Sequence, residues 1–407
     1  MKIRWGILGA ADIARKNWKA IRNSGNGIVT AVASRSLDRA QQFINECEAS
    51  APMGGPVKAF ANYEQLLASK EVDAVYIPLP TGVRKDWVVR AAEAGKHVVC
   101  EKPCANSIED LRIMIDACRY RNVQFMDGVM FMHSARLQKI SSEINDASIG
   151  EVIRITSAFS FHGDADFFEN NIRVNSTMEP FGCLGDLGWY CIRMALWTMR
   201  EQLPERVSGR ILKDARGKNS PSAVPSSFSG ELFFKDNVSS SFFCSFDAAD
   251  EQWAIITGGK GVIRTEDFVL PFFGNEVGFD VLNAGLKVTG CDFNMEPNRR
   301  RITIPEYSNS HANAQETNLF RDFAAQIQSG KLNTEWPEIA FKTQAVMESC
   351  LESAKNSSVP TEVANYPPAT IRTISNRSPA FTILRANSEG ATASPFCSTT
   401  TLFGSSF

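Results

Sequence analysis

Two rhythms of apolar and polar positions divide the chain. From residue 3 to about 126, short unbroken apolar runs alternate with stretches of helical period. The run Ile3 to Leu8 predicts a buried strand, followed by a Gly/Ala turn and a helix from Asp12 to about Arg22. Ile28 to Ala33 predicts a second strand, with Ser36 as N-cap of a helix reaching about Glu48. The series continues with strand Ala74 to Leu79, helix Asp86 to Ala94, strand His97 to Cys100, helix Ile108 to Arg121 and strand Val123 to Met126. Strands and helices alternating at this spacing predict a doubly wound parallel sheet. Past residue 150 the period becomes two. Val152 to Phe161 places Ile153, Ile155, Ser157, Phe159 and Phe161 on one face, and two hairpins follow, turning at Lys235-Asp236-Asn237 and Gly258-Gly259-Lys260-Gly261. Helical period returns from Thr317 to Gln328 and from Ile339 to Asn356, whereas Ser, Thr, Pro and Ala dominate from Tyr366 onward. The expected architecture is an α/β domain at 1–128, an α+β domain at 129–366 on a large open, mainly antiparallel sheet, and a disordered tail at 367–407.

Composition narrows the function classes. At 407 residues, 43% hydrophobic and 22% charged, the chain is sized for two or three globular domains. A formal net charge of -2 gives no electrostatic reason for nucleic acid or an anionic membrane as partner. The apolar runs fall far short of the ~20 residues of a membrane-spanning helix. Residues 1–9 lack the apolar core and cleavage site of a signal peptide, so the cytoplasm is the expected compartment. The cysteines lack paired spacing, Cys100 and Cys104 being separated by three residues, and read as reduced, mostly buried thiols. The four histidines show no helical metal-binding spacing, so no metal is expected.

The turn after the first strand carries the first candidate chemistry. A Gly-rich turn opening a helix lets backbone N–H groups approach a pyrophosphate. From Gly9 this turn reads Gly-x-Ala-x-x-Ala, with Gly9, Ala11, Asp12 and Ile13 as the candidate dinucleotide-binding residues of a Rossmann domain. A βα turn that binds nothing is the alternative. The second strand ends in Ser34-Arg35-Ser36, where an NAD site wants a carboxylate for the ribose 2′-hydroxyl. Arg35 with Ser34 therefore points to NADP, with NAD the lesser choice. A solvated loop arginine is the bland reading.

Glu101-Lys102-Pro103 closes the strand His97 to Cys100, at the edge where such sheets bind ligands. Together with Pro78-Leu79-Pro80-Thr81, Asp127-Gly128-Val129-Met130-Phe131, Asn171-Ile172-Arg173 and Gly182 to Tyr190, this segment resembles the Gfo/Idh/MocA oxidoreductase family over about residues 1 to 360. The likeness is to its branch of dihydrodiol dehydrogenase, xylose dehydrogenase and glucose-fructose oxidoreductase, and most of all to its plant oxidoreductases. It implies hydride transfer between NADP(H) and a C–OH/C=O group of a sugar, cyclic polyol or dihydrodiol, in a homodimer. It also implies that Pro80, Thr81, Glu101 and Lys102 line the cofactor, that Lys102 binds the reacting oxygen, and that Tyr190 is the general acid/base. Tyr190 stands four residues after Asp186, where many members have His. Its pKa is expected to fall beside the Lys102 ammonium. Asp186 would orient Lys102 or the substrate, or cap a helix, and Arg173 would bind substrate oxygens or form a structural ion pair. Arg84 replaces a His found in many members and either alters the pocket or faces solvent. His133 and His162 are reserve proton donors. A catalytically silent, dinucleotide-sensing regulator of the same fold is the alternative function.

Overall fold

The computed structural model describes residues 1–364, which belong to one compact unit. Its first sheet is parallel, with strands β1 (Ile3–Leu8), β2 (Gly27–Ala33), β3 (Lys58–Phe60), β4 (Ala74–Ile77), β5 (His97–Cys100) and β6 (Phe125–Asp127) in the order β3-β2-β1-β4-β5-β6. This is the Rossmann order, and its reversal point lies between β1 and β4. The helices between these strands are α1 (Asp12–Asn23), α2 (Leu37–Ser50), α3 (Tyr63–Leu67), α4 (Thr81–Glu93) and α5 (Ile108–Tyr120). Local caps start three of them: the side chains of Ser36, Asn62 and Ser107 accept from the backbone N–H groups of Arg39, Gln65 and Asp110.

After α6 (Ala135–Asn145) comes β7 (Val152–His162), the middle strand of a nine-stranded sheet. Helices α7 (Ala165–Asn170) and α8 (Trp189–Thr198) precede β8 (Arg206–Ala215), β9 (Val224–Phe233), β10 (Ser239–Ser245), β11 (Asp247–Gly258), β12 (Val262–Thr265) and β13 (Val277–Leu282). A separate hairpin of β14 (Gly285–Thr289) and β15 (Asp292–Glu296) leads to β16 (Arg299–Ile304), α9 (Gln315–Gln328), α10 (Glu335–Lys355) and β17 (Thr361–Glu362). The sheet runs β16-β13-β12-β11-β7-β10-β9-β8-β17, and every pairing is antiparallel except β10 with β7. Both expected hairpins form, β9 with β10 and β11 with β12.

The periodic reading omits β3 and α3 and starts α10 four residues late, and three further features depart from it. Helix α4 begins at Thr81, five residues before the expected Asp86, because its N-terminus is capped from far away: Glu179 accepts from the Thr81 backbone N–H at 3.1 Å and its Oγ at 2.6 Å. Helix α9 packs with the parallel sheet although it follows the second one in sequence, burying Phe320 edge-to-face on Trp5 at 5.1 Å. Ile153 is 52% exposed, whereas Ile155 further along the same face is buried. The outward face of the second sheet is mixed in character. Arg154 there bonds Glu231, Ser239 and Ser241, beside half-buried Phe233, Phe243 and Ile255.

No helix among the described residues is long and apolar enough to cross a membrane. The described cysteines are all free thiols, buried except Cys291. The expected tail at 367–407 lies outside the described residues.

Candidate active site

Lys102 leaves the carboxyl end of β5 and reaches across to the second sheet's side of the molecule. Its ammonium donates to Asp186 Oδ1 at 2.7 Å and to the Asp186 carbonyl at 2.8 Å. Arg173 Nε donates to the other oxygen of that carboxylate at 2.7 Å, and the ammonium stands 4.8 Å from the centroid of the Tyr190 ring. Lys102, Asp186, Tyr190 and Arg173 thus form one cluster. Asp186 lies in a wide π-type turn, Leu184–Gly188, that runs straight into α8 and brings Asp186 and Tyr190 to the same end. Helix α8 is anchored from below: Arg193 and Asp127, at the end of β6, make a buried ion pair of 2.6 Å, and Trp189 Nε1 donates to Asp127 at 3.2 Å.

Burial and charge oppose each other here. For Asp186, burial favours the neutral acid, but Lys102 and Arg173 outweigh it and hold the pKa down to about 2. For Lys102, burial favours the neutral amine, but Asp186 and then Tyr190 overcome it and raise the pKa. For Tyr190 the balance goes the other way. Burial raises its pKa, and Lys102 lowers it by less, while Glu101 and Asp186 add to the rise. The expected fall is therefore corrected to a rise, because the half-buried ring packs against Phe131 and Phe159 and loses part of its hydration. At neutral pH Tyr190 carries its proton.

The cluster borders a cavity of about 710 Å³ whose other walls include Phe159, Phe161, Trp253 and Phe272, with Asp250 and Glu251 among its acidic residues. An ammonium has three N–H donors. Two of those on Lys102 engage Asp186, and the third is within reach of the Tyr190 hydroxyl, where a ligand oxygen could share it.

On the other side of the β4–β5 edge lie the dinucleotide candidates. Gly9 has φ +122°, a conformation that favours glycine, and a Cβ there would stand 3.1 Å from Leu79 Cδ2. Ala11 caps α1 without a side-chain hydrogen bond, so the first N–H groups of the helix, at Asp12 and Ile13, have no side-chain acceptor at the cap. Ser34 is buried and Arg35 exposed. The sequence reading missed Arg39, whose guanidinium lies 3.5 Å from the Ala10 carbonyl over the turn. Neither arginine pairs with a carboxylate among the described residues, and Tyr63 lies close to both. A turn that excludes side chains, an uncapped helix start and two unpaired guanidinium groups fit a phosphorylated dinucleotide. Only the exposed position of Arg39 on the first turn of α2 could have signalled it from sequence.

The oxidoreductase family with an NAD-binding Rossmann fold matches residues 3–129, and the GFO/IDH/MocA C-terminal domain matches residues 137–264. A D-xylose 1-dehydrogenase (NADP(+)) of Haloferax volcanii is 32% identical over 251 residues, 61% of this chain and 71% of the relative. This chain belongs to the Gfo/Idh/MocA oxidoreductase family. An uncharacterized oxidoreductase of Rhizobium meliloti is 38% identical over 207 residues, 50% of this chain and 58% of that relative, so the chain matches little more than half of its length. Among solved structures, a 3-ketoreductase from Actinomadura kijaniata in complex with NADP and TDP-benzene shares the fold. It covers 86% of this chain and 98% of its own at TM-score 0.71 and 24% identity.

Against the Gfo/Idh/MocA pattern, Arg84 does not face solvent. It is 3% exposed and donates to backbone carbonyls of Leu79, Glu101 and Pro103. Thr81 is also buried, with its N–H and Oγ engaged by Glu179, which leaves Pro80 as the partly exposed member of that pair. Glu101 accepts from buried Tyr76 at 2.6 Å and from the Lys102 backbone N–H at 3.3 Å. The reserve histidines lie elsewhere. His133 pairs with Asp322 at 2.7 Å, His162 is exposed beside the Asp247 carbonyl at 3.4 Å, and neither lines the cavity.

Proposed function

We propose that the protein transfers a hydride between NADP(H) and a C–OH/C=O group of an uncharged sugar, cyclic polyol or dihydrodiol. The observation that carries this reading is the junction of Lys102, Asp186 and Tyr190 at the wall of the aromatic cavity. The nicotinamide would supply or accept the hydride, with Gly9, Ala11, Asp12 and Ile13 at its phosphates and Ser34, Arg35 and Arg39 at the 2′-phosphate end. Loss of hydride leaves positive charge developing at carbon, so the hydroxyl proton must leave in step. Lys102 holds the oxygen through the N–H that faces the Tyr190 hydroxyl and stabilises the incipient alkoxide. The neutral Tyr190 phenol gives its proton to the carbonyl oxygen in reduction, and in oxidation the hydroxyl proton passes to the phenolate formed once Tyr190 has lost its own. Asp186 keeps the ammonium charged and aimed, and Arg173 holds the other oxygen of that carboxylate, leaving one net positive charge beside the reacting oxygen.

The walls favour an uncharged ring. Phe159, Phe161, Trp253 and Phe272 offer apolar faces to a pyranose or an arene. The two lining cations, Lys102 and Arg173, share the single carboxylate of Asp186, so their cluster keeps one net positive charge. Glu251 meets only the Trp253 indole N–H at 2.9 Å, and Asp250 has no cation partner among the described residues. Asp250 and Glu251 oppose a pyrophosphate-linked sugar, against the one net positive charge of that cluster, whereas an uncharged sugar or diol meets no such repulsion.

NADPH consumption or formation over a panel of neutral sugars, cyclic polyols, dihydrodiols and dTDP-linked sugars tests the reading. Turnover is expected with a neutral compound. Tight NADP binding with no turnover on any of them would replace the enzyme by a dinucleotide-sensing regulator. A homodimer and a cytoplasmic location belong to the same proposal, with the half-buried Phe233, Phe243 and Ile255 on the outward face of the second sheet as the surface a second copy would cover.

A further inference from the structure

Arg84 sits on the first turn of α4, with its guanidinium enclosed rather than aimed at any carboxylate within ion-pair distance among the described residues. Its donors divide between two loops. Nε and Nη2 reach the Leu79 carbonyl at 2.9 and 2.5 Å, on the loop after β4. Nη1 reaches the Glu101 carbonyl at 2.7 Å and also the Pro103 carbonyl, on the loop after β5. Glu101 and Pro103 are the residues on either side of Lys102. The planar fork of one arginine thus grips the backbone before and after the lysine and ties both to the neighbouring strand end. A neutral imidazole, with a single N–H donor, cannot make these contacts, and neither can the point charge of a lysine in the same plane.

The grip extends to the second half of the site. Thr81 Oγ lies 3.3 Å from the same Pro103 carbonyl and 2.6 Å from Glu179 Oε2. Glu179 follows Arg173 on the segment that docks against α4, where Gly82 N–H donates to the Met178 carbonyl at 2.9 Å. A Cβ at Gly82 would lie 2.0 Å from the Thr177 carbonyl, so only glycine permits this approach. Arg84 itself does not line the cavity.

We propose that Arg84 is a positioning residue: by fixing the two carbonyls that bracket Lys102, it sets where the ammonium stands relative to Asp186 and the substrate oxygen. The proposal rests on Lys102 holding that oxygen, as argued above. Burying a guanidinium is costly unless its donors are satisfied, and here backbone carbonyls satisfy them, which makes the arrangement specific to the loop geometry.

The test compares Arg84→Met and Arg84→Lys with the wild-type chain. Arg84→Met should lower kcat by about tenfold to a hundredfold, the scale of an ångström-level misplacement of a reacting group, with NADPH Kd within about twofold. Millimolar guanidinium or methylguanidinium should restore part of that loss. Arg84→Lys should fall between the two and gain nothing from the added cation. A second readout needs no turnover: acylation of the Lys102 amine by a water-soluble ester, mapped by mass spectrometry, should speed up several-fold in both variants as Lys102 leaves Asp186. If the wild type turned over no alcohol, the functional reading would fall while the acylation rates still decided the clamp. A purely structural Arg84 would show a lower melting temperature with wild-type kcat and acylation rate in Arg84→Lys, and that result would overturn the proposal.

Discussion

Around Lys102, single residues are set by partners far away in sequence. Lys102, Asp186 and Tyr190 were legible because each sits in a short motif. Their electrostatics were not, since burial is a property of the folded surroundings: Tyr190 is pushed up where the motif suggested a fall. In the alcohol-oxidising direction, kcat/KM should therefore keep rising with pH into the alkaline range as Tyr190 loses its proton. The Lys102 cation opposes the rise, so Lys102→Met should move that limb to still higher pH. A pH–rate profile in which the limb moves downward would contradict the assignment. At the other end of the cofactor site, Arg35→Asp should reverse the preference for NADP. A charge-assisted bond is worth roughly 1.5–3 kcal/mol, about ten- to hundredfold in affinity, readable by titration with both dinucleotides. Arg39 and Arg84 were less legible, because what they do depends on the carbonyls of Ala10, Leu79, Glu101 and Pro103, which only folding brings near.

The expected strands, and the helices with their own caps, were readable to within about two residues. Strand β5 falls at His97–Cys100 as its apolar run predicts, and Ser36 caps α2 as expected. Where an element depends on another part of the fold, periodicity fails. Helix α4 owes its first turn to Glu179, and α9 carries the amphipathic pattern of any surface helix, with nothing in it to say that Trp5 is its partner. Helix α8 is buried along most of its length and is held by Asp127 and Arg193, at 3% and 2% side-chain exposure. Arg193→Met leaves Asp127 an uncompensated buried charge, so urea denaturation should show a loss of about 3–5 kcal/mol. A loss under 1 kcal/mol would mean that α8, and with it Tyr190, is placed by apolar packing alone.

For the molecule as a whole, the change of rhythm near residue 150 marked the passage from one sheet to the other, yet the return of α9 to the first sheet means the two are interlocked through the chain. Light scattering should report a dimer at micromolar concentration, and a monomer there would remove that part of the account. Exposed apolar side chains concentrate on one face of the β14–β15 hairpin, where Leu286 opposes Met295 and Val288 opposes Phe293. The central claim is that both domains exist to bring Lys102 and Tyr190 to one substrate oxygen as a single proton-handling unit. Single-turnover hydride transfer in Lys102→Met, Tyr190→Phe and the double variant tests it most directly. Each single variant should slow the chemical step by ~10²–10⁴, the double variant should be little worse than the poorer single, and NADP affinity should be nearly unchanged. A Tyr190→Phe enzyme with near-normal rates from about pH 6 to 10 would contradict it, and would move the proton transfer to another group or to water.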